Sequence, residues 1–267
     1  MNVRQRGTAR TLSKSWSGET CSPASATSAP RQQEPGVTRR GGFGGICAML
    51  ALASLAYILL AVMAHNAVHG TVVDHAVLAW MVDHRHSWLT TVAVAITNVG
   101  SPVVMGTLAV LCSTLLWWRL HSPVPGLVVV ATLAGAAGIS TLTKTVVGAR
   151  RPAHAVQLIL EVDPAFPSGH VTGTLTLLGM IAVIVGRHRR PAVRSVLAWA
   201  VVTVTAAVAL TRLYLGVHWL TDISGGLVLG SAAVTLGSAT LGTVAGSSSR
   251  PGVHRAESPL GEATRVA

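Results

Sequence analysis

Thr211-Arg-Leu-Tyr-Leu-Gly-Val-His218-Trp-Leu-Thr-Asp222 joins the last two of six long apolar blocks and sets an Arg, a His and an Asp at their edges. A charge at the rim of a hydrocarbon layer is costly unless it is paired, so this junction asks for a partner or a ligand. The blocks run Phe43–Ala64, Ser101–Trp118, Val124–Val147, Gly169–Gly186, Val193–Leu213 and Trp219–Val244. Each is about 18 to 26 residues, enough for one helical crossing of a bilayer. The expected fold class is therefore all-α: a polytopic membrane protein built as a six-transmembrane-helix bundle.

Composition agrees. Half of the 267 residues are hydrophobic and 11% are charged, too apolar for an ordinary soluble domain. The net charge of +11 does not imply nucleic acid, because the basic residues sit between apolar blocks and form no stripe interleaved with aromatics. Cys21, Cys47 and Cys112 have neither metal-ligand nor disulfide spacing. Residues 1–42 are rich in Ser, Thr, Pro, Gly and Arg and are expected to be a disordered basic tail. That tail lacks the amphipathic period of a transit peptide, and the first apolar run starts too late for a secretory signal. Residues 43–246 are expected to form the membrane domain, and 247–267 a second polar tail. Val72–Ile96 reads as one or two helices lying in the interface. Its Asp83-His84-Arg85-His86 cluster is too polar for bilayer depth, and Trp80 and Trp88 suit the headgroup level.

Lys and Arg counts orient the chain. With the N-terminus inside, fifteen basic residues fall inside, including the loop residues Arg187, Arg189, Arg190 and Arg194. Five fall outside: Arg85, Lys144, Arg150, Arg151 and Arg212. Both termini are thus expected to be cytoplasmic. Four of the five outer basics lie near the outer ends of the third and fifth spans, where the positive-inside bias disfavours them. A bound anion would explain their position.

Three segments converge on that face. In Lys144-Thr-Val-Val-Gly-Ala-Arg-Arg151-Pro152, Lys144 and Arg151 are seven residues apart. That is two helical turns, and the two share a side for as long as the helix lasts. In Pro167-Ser168-Gly169-His170, Ser168 is a candidate N-cap for the fourth span. The free N–H groups there suit an anion, and Gly169 admits close approach to the backbone. In the third segment His218 and Asp222 are spaced i, i+4. A carboxylate on one ring nitrogen leaves the other unprotonated and nucleophilic. Asp222 needs a partner, and His218 and Arg212 are the nearest in sequence. Read singly, these are also a pair of snorkelling cations, a capped helix and a structural His–Asp pair.

Together, Lys-x6-Arg-Pro, Pro-Ser-Gly-His and Arg-x5-His-x3-Asp closely resemble the three-part signature of the type 2 phosphatidic acid phosphatase superfamily. The resemblance spans Lys144 to Asp222 and the helices that frame it. One departure is Thr211, where the family pattern usually has Ser. The resemblance implies a phosphatase core in which Lys144, Arg151 and Arg212 bind phosphate oxygens and Ser168 and the Gly169 N–H add hydrogen bonds. It implies that His218 attacks phosphorus, Asp222 orients it and His170 protonates the leaving oxygen. It implies no metal and no cofactor, since three cations stabilise the transferred charge. The expected partner is a lipid phosphate or diphosphate in the bilayer, undecaprenyl diphosphate first, then phosphatidylglycerol phosphate or phosphatidic acid. Ala153–Phe166 is the expected lid. A vanadium-dependent haloperoxidase shares the motifs but is soluble. A non-catalytic anionic-lipid carrier leaves the two histidines and Asp222 surplus. A phosphotransferase would pass through the same phosphohistidine.

Overall fold

The structure, a computed structural model, describes residues 40–247. The expected tails therefore lie almost wholly outside the described residues. Eight α-helices follow in order: α1 (Arg40–Asn66), α2 (Val72–Asp83), α3 (Ser87–Val99), α4 (Pro102–Leu120), α5 (Val124–Val147), α6 (Gly169–Gly186), α7 (Pro191–Tyr214) and α8 (Leu220–Ser247). A single 3₁₀ turn, His154–Val156, interrupts the connection between α5 and α6, and no strand occurs among the described residues. Six helices (α1 and α4 to α8) are long and apolar enough to cross a membrane, within a residue or two of the blocks read from the sequence. The protein is a multi-pass membrane protein.

The segment Val72–Ile96 resolves into two helices, broken at the charged cluster. Thr71 caps α2 through a reciprocal box with Asp74. Asp74 is buried and also accepts from the backbone N–H of Thr221 at 2.9 Å and from its hydroxyl, which ties α2 to the start of α8. At the break, Arg85 donates to the carbonyls of Val156 and Tyr214, joining the long loop to the end of α7. Ser101 caps α4 with Pro102 at its first position, where the missing N–H costs nothing.

The helix at the centre of the bundle is α6. It packs against α4, α5, α7 and α8. Val171, Leu177 and Met180 on it are fully covered, whereas α1 keeps Leu52, Leu55, Ile58 and Leu59 on the outer surface. A helix apolar on all sides is stable at either place, because lipid and protein interior are alike to a leucine. Position is instead set by the polar ends. The C-termini of α5 and α7 and the N-termini of α6 and α8 meet at one end of the bundle.

Candidate active site

Lys144 sits in the last turn of α5, which stops at Gly148 in the left-handed conformation with φ 62°. Arg151 therefore lies past the helix, and the expectation of two residues on one helical face is corrected. Chain reversal brings them together, with Arg150 N–H bonded to the Val68 carbonyl and Ala165 N–H to the Ala149 carbonyl. Arg212, in the last turn of α7, is fully buried. Gly216 turns the chain at φ 70°, and a Cβ there would stand 2.5 Å from the Val156 carbonyl oxygen. Only glycine fits both the angle and the space. His218 follows that turn and precedes α8 by two residues.

The His218–Asp222 contact is present, but its origin differs from the expected single-helix face. Asp222 lies in the first turn of α8, and its Oδ2 accepts from the Trp219 N–H at 2.8 Å. The same oxygen is 3.2 Å from His218 Nδ1. A helix-capping carboxylate is thus shared with the ring. On the other side, His218 Nε2 is 3.0 Å from Arg151 Nη1. A guanidinium can only donate, so Nε2 accepts and the ring hydrogen is on Nδ1, directed at Asp222. Burial, and after it the charges of Arg151, Arg212 and Lys144, hold the imidazole pKa well below its ordinary value. The ring is neutral, with its lone pair on Nε2.

Arg212 does not reach Asp222, contrary to one of the two partners expected. It donates to Thr97 Oγ1 at 3.0 Å and pairs with Glu161. Glu161 also pairs with Arg151 at 2.8 Å. Asp163 bridges Lys144 at 2.8 Å and Arg151 at 2.7 Å, and Arg151 Nε donates to the Asp163 carbonyl. Lys144 reaches the Pro164 carbonyl as well. Burial alone would raise the Asp163 carboxyl pKa, but Lys144 and Arg151 outweigh it and hold it below the usual range. The sequence reading missed both carboxylates. A signal existed: of the five acidic residues between 43 and 246, two stand in the loop that separates the first two motifs.

Ser168 is the N-cap residue of α6, but its side chain makes no capping bond, which corrects the role expected for it. Its hydroxyl is buried without a partner, as is Arg212 Nε. The start of α6 is instead held by the Ser168 N–H on the Asp222 carbonyl at 3.1 Å. The preceding Phe166 is completely covered beside Tyr57, and a Cβ on Gly225 would fall 2.4 Å from its ring. At Gly169 a Cβ would touch only Pro102 Cγ at 3.8 Å, so nothing in the protein forbids a side chain there. His170 is half-buried, under the charges of Arg212 and Arg151, with no hydrogen bond among the described residues. The Thr211 hydroxyl turns back to the Val208 carbonyl at 2.7 Å. Among the described residues no group of three or more His, Cys, Asp or Glu side chains is placed to hold a metal. A cavity of about 560 Å³ opens beside Arg151 and Asp163, with His69, His75, Arg150 and His154 on its walls.

All eight residues singled out in the sequence thus gather at one end of the bundle. The unpartnered Ser168 hydroxyl and Arg212 Nε lie at the end where Lys144, Arg151 and Arg212 gather, an arrangement that suits a multiply charged oxyanion. Residues 125–243 match the PAP2 superfamily. Over 183 residues the chain is 27% identical to phosphatidylglycerophosphatase B of Bacillus subtilis (strain 168), covering 66% of this chain and 86% of that protein. Among solved structures it is similar in fold to the first transmembrane PAP2-type phosphatidylglycerolphosphate phosphatase from Bacillus subtilis. That match has a TM-score of 0.64 at 23% identity and covers 71% of this chain and 96% of the other. It is also similar in fold to Aquifex aeolicus LpxE, with a TM-score of 0.51 at 17% identity, covering 63% and 96%.

Proposed function

We propose that this chain, whose membrane domain belongs to the PAP2 superfamily of phosphate-ester hydrolases, removes phosphate from a lipid through a phosphohistidine formed on His218. The observation that carries the reading is the state of that ring. Its Nδ1–H faces Asp222 and its Nε2 lone pair faces Arg151, with the charges of Arg212 and Lys144 also acting on the ring. Nε2 attacks phosphorus as the bond from phosphorus to the leaving oxygen breaks. His170 gives that oxygen a proton, and the dianionic phosphate beside it favours the protonated form required. Water then attacks the phosphohistidine, returning its proton to His170 and freeing inorganic phosphate. Asp222 stabilises the positive charge that His218 acquires. The three cations, the Ser168 hydroxyl and the Gly169 N–H meet the equatorial oxygens, a fixed complement of donors for charge that persists through the transition state.

For the lipid, similarity to phosphatidylglycerophosphatase B favours phosphatidylglycerol phosphate. Undecaprenyl diphosphate is the second reading, supported by an outward-facing site. We take the site end of the bundle as outward and both termini as cytoplasmic, because Arg187, Arg189, Arg190 and Arg194 lie at the opposite end. The histidine-lined cavity offers room for the part of the headgroup beyond the scissile bond. The test is phosphate release from a panel of lipid phosphates by the detergent-solubilised protein with EDTA present. Release from at least one lipid, undiminished by chelation, is expected. Turnover of none, or loss of activity with EDTA, contradicts the reading.

A further inference from the structure

Two carboxylates occupy the seat that the proposed reaction reserves for phosphate. Glu161 pairs with Arg151 and Arg212, and Asp163 with Arg151 and Lys144. Every cation of the ring is therefore engaged by a residue of one loop, and that loop is itself held at both ends. The Ala165 N–H is bonded to the Ala149 carbonyl, the Leu158 N–H to the Leu215 carbonyl, and the Val156 carbonyl to Arg85. Gln157 fixes its shape from within, donating to the Pro152 carbonyl and accepting from the Glu161 N–H. The two acids are not alike in access. The Glu161 side chain is 21% exposed and that of Asp163 is 53% exposed. Both can leave toward water without unpacking a helix.

We propose that Glu161 and Asp163 are an internal competitor that sets which phosphate headgroups the site admits. The inference rests on the phosphatase reading above and names what selects its substrate. Three cations neutralised by two carboxylates leave a net single positive charge. A terminal phosphoryl group, nearly dianionic at neutral pH, replaces both carboxylates without a charge deficit. A phosphodiester carries a single charge and cannot. Phosphodiester headgroups are the bulk of a phospholipid membrane, so such a filter would keep a lipid-accessible site from being occupied by bulk lipid. Arg151 couples admission to chemistry, because its Nη1 donates to the His218 lone pair while its other nitrogens hold Asp163 and Glu161. Substrate oxygens that draw Arg151 off the loop also free Nε2 for attack.

The experiment measures binding of inorganic phosphate and of dimethyl phosphate to the full detergent-solubilised chain by calorimetry, for wild type, Glu161→Gln, Asp163→Asn and the double variant. Thermal unfolding of each serves as the check on folding. In the double variant the phosphate Kd should fall about tenfold, the scale of removing a pair of partly exposed competing ion pairs. Dimethyl phosphate, without effect on wild type, should become a competitor. Each single variant should give a smaller tightening, which keeps the test decisive if the double variant fails to fold. With lipid phosphate as substrate, KM should fall while kcat does not rise. A phosphate Kd that is unchanged or weaker in folded single variants overturns the proposal. So does binding of dimethyl phosphate that is equal in wild type and variants. Wild type that hydrolyses lipid phosphate while its variants bind phosphate no tighter defeats the competitor alone. Wild type that neither binds phosphate nor hydrolyses any lipid phosphate defeats the phosphatase reading with it.

Discussion

Arginines cluster at both ends of this helix bundle, and the two ends treat them oppositely. Between α6 and α7, Arg187, Arg189, Arg190 and Arg194 are exposed and make no ion pair among the described residues. At the other end the side chains of Lys144, Arg151 and Arg212 are 15%, 6% and 0% exposed, and each is paired with a loop carboxylate. Exposed cations at a membrane surface retain their hydration and need no justification beyond topology. Cations withdrawn from water carry a desolvation cost of several kcal/mol each, which only a matching anion offsets. On our reading the same residue type thus serves orientation at one end and anion binding at the other. Glu161 and Asp163 supply the anions that pair with the second set.

That contrast can be broken by removing one arginine from each end. Arg212→Ala should lower kcat/KM for a lipid phosphate by about 10²–10³-fold, the usual effect of deleting one fixed donor to a transition-state oxyanion. Arg187→Ala should change it less than about twofold, because a lone exposed charge contributes little. Comparable losses at both ends would show that the buried set has no special role. Next in size, Asp222→Asn should lower kcat by roughly 10²-fold with a smaller change in KM. The amide can still cap Trp219 but no longer stabilises a charged His218 ring. A loss confined to KM would make Asp222 merely structural.

A smaller effect is expected in the pH profile. The protonated form of His218 is disfavoured by burial and by three neighbouring cations, so its neutral, nucleophilic form persists as the pH falls. The acid limb of kcat/KM should therefore lie below about 6.5, the ordinary histidine value. A limb at that value would place an unperturbed histidine in control. Smallest on activity, yet clear on stability, Gly225→Ala should cost about 1–3 kcal/mol, since its Cβ meets the Phe166 ring at 2.4 Å. Chemical denaturation in mixed micelles would measure it.

The six spans were legible because about twenty apolar residues in a row have few other fates. The candidate site was legible because its motifs place charge at span ends, where charge is expensive. Less legible was how the residues come together. Seven-residue spacing suggested that Lys144 and Arg151 share a helix, but Gly148 ends α5 between them. An i, i+4 spacing suggested that His218 and Asp222 share one too, yet Asp222 caps a helix that His218 precedes. The sequence offers Asp222 two candidate partners, and the nearer one pairs with it because Glu161 satisfies Arg212. Glu161 and Asp163 escaped notice because their partners are 19 or fewer residues away on one side and 51 on the other. No periodicity records a contact between a loop and the ends of two separate helices. The Ser168 hydroxyl, a candidate cap in the sequence, makes no capping bond because the Ser168 N–H, rather than its side chain, anchors the start of α6.

The proposed chemistry turns on one atom, His218 Nε2. Brief reaction with a lipid carrying radiolabelled phosphate, followed by denaturation in alkali, should leave label on the wild-type chain in an alkali-stable, acid-labile bond, as a phosphoramidate requires. His218→Ala should carry none, while His170→Ala should be labelled more slowly when the leaving group is poor. Label that persists in His218→Ala, or that lies on another residue of the wild type, would contradict the account.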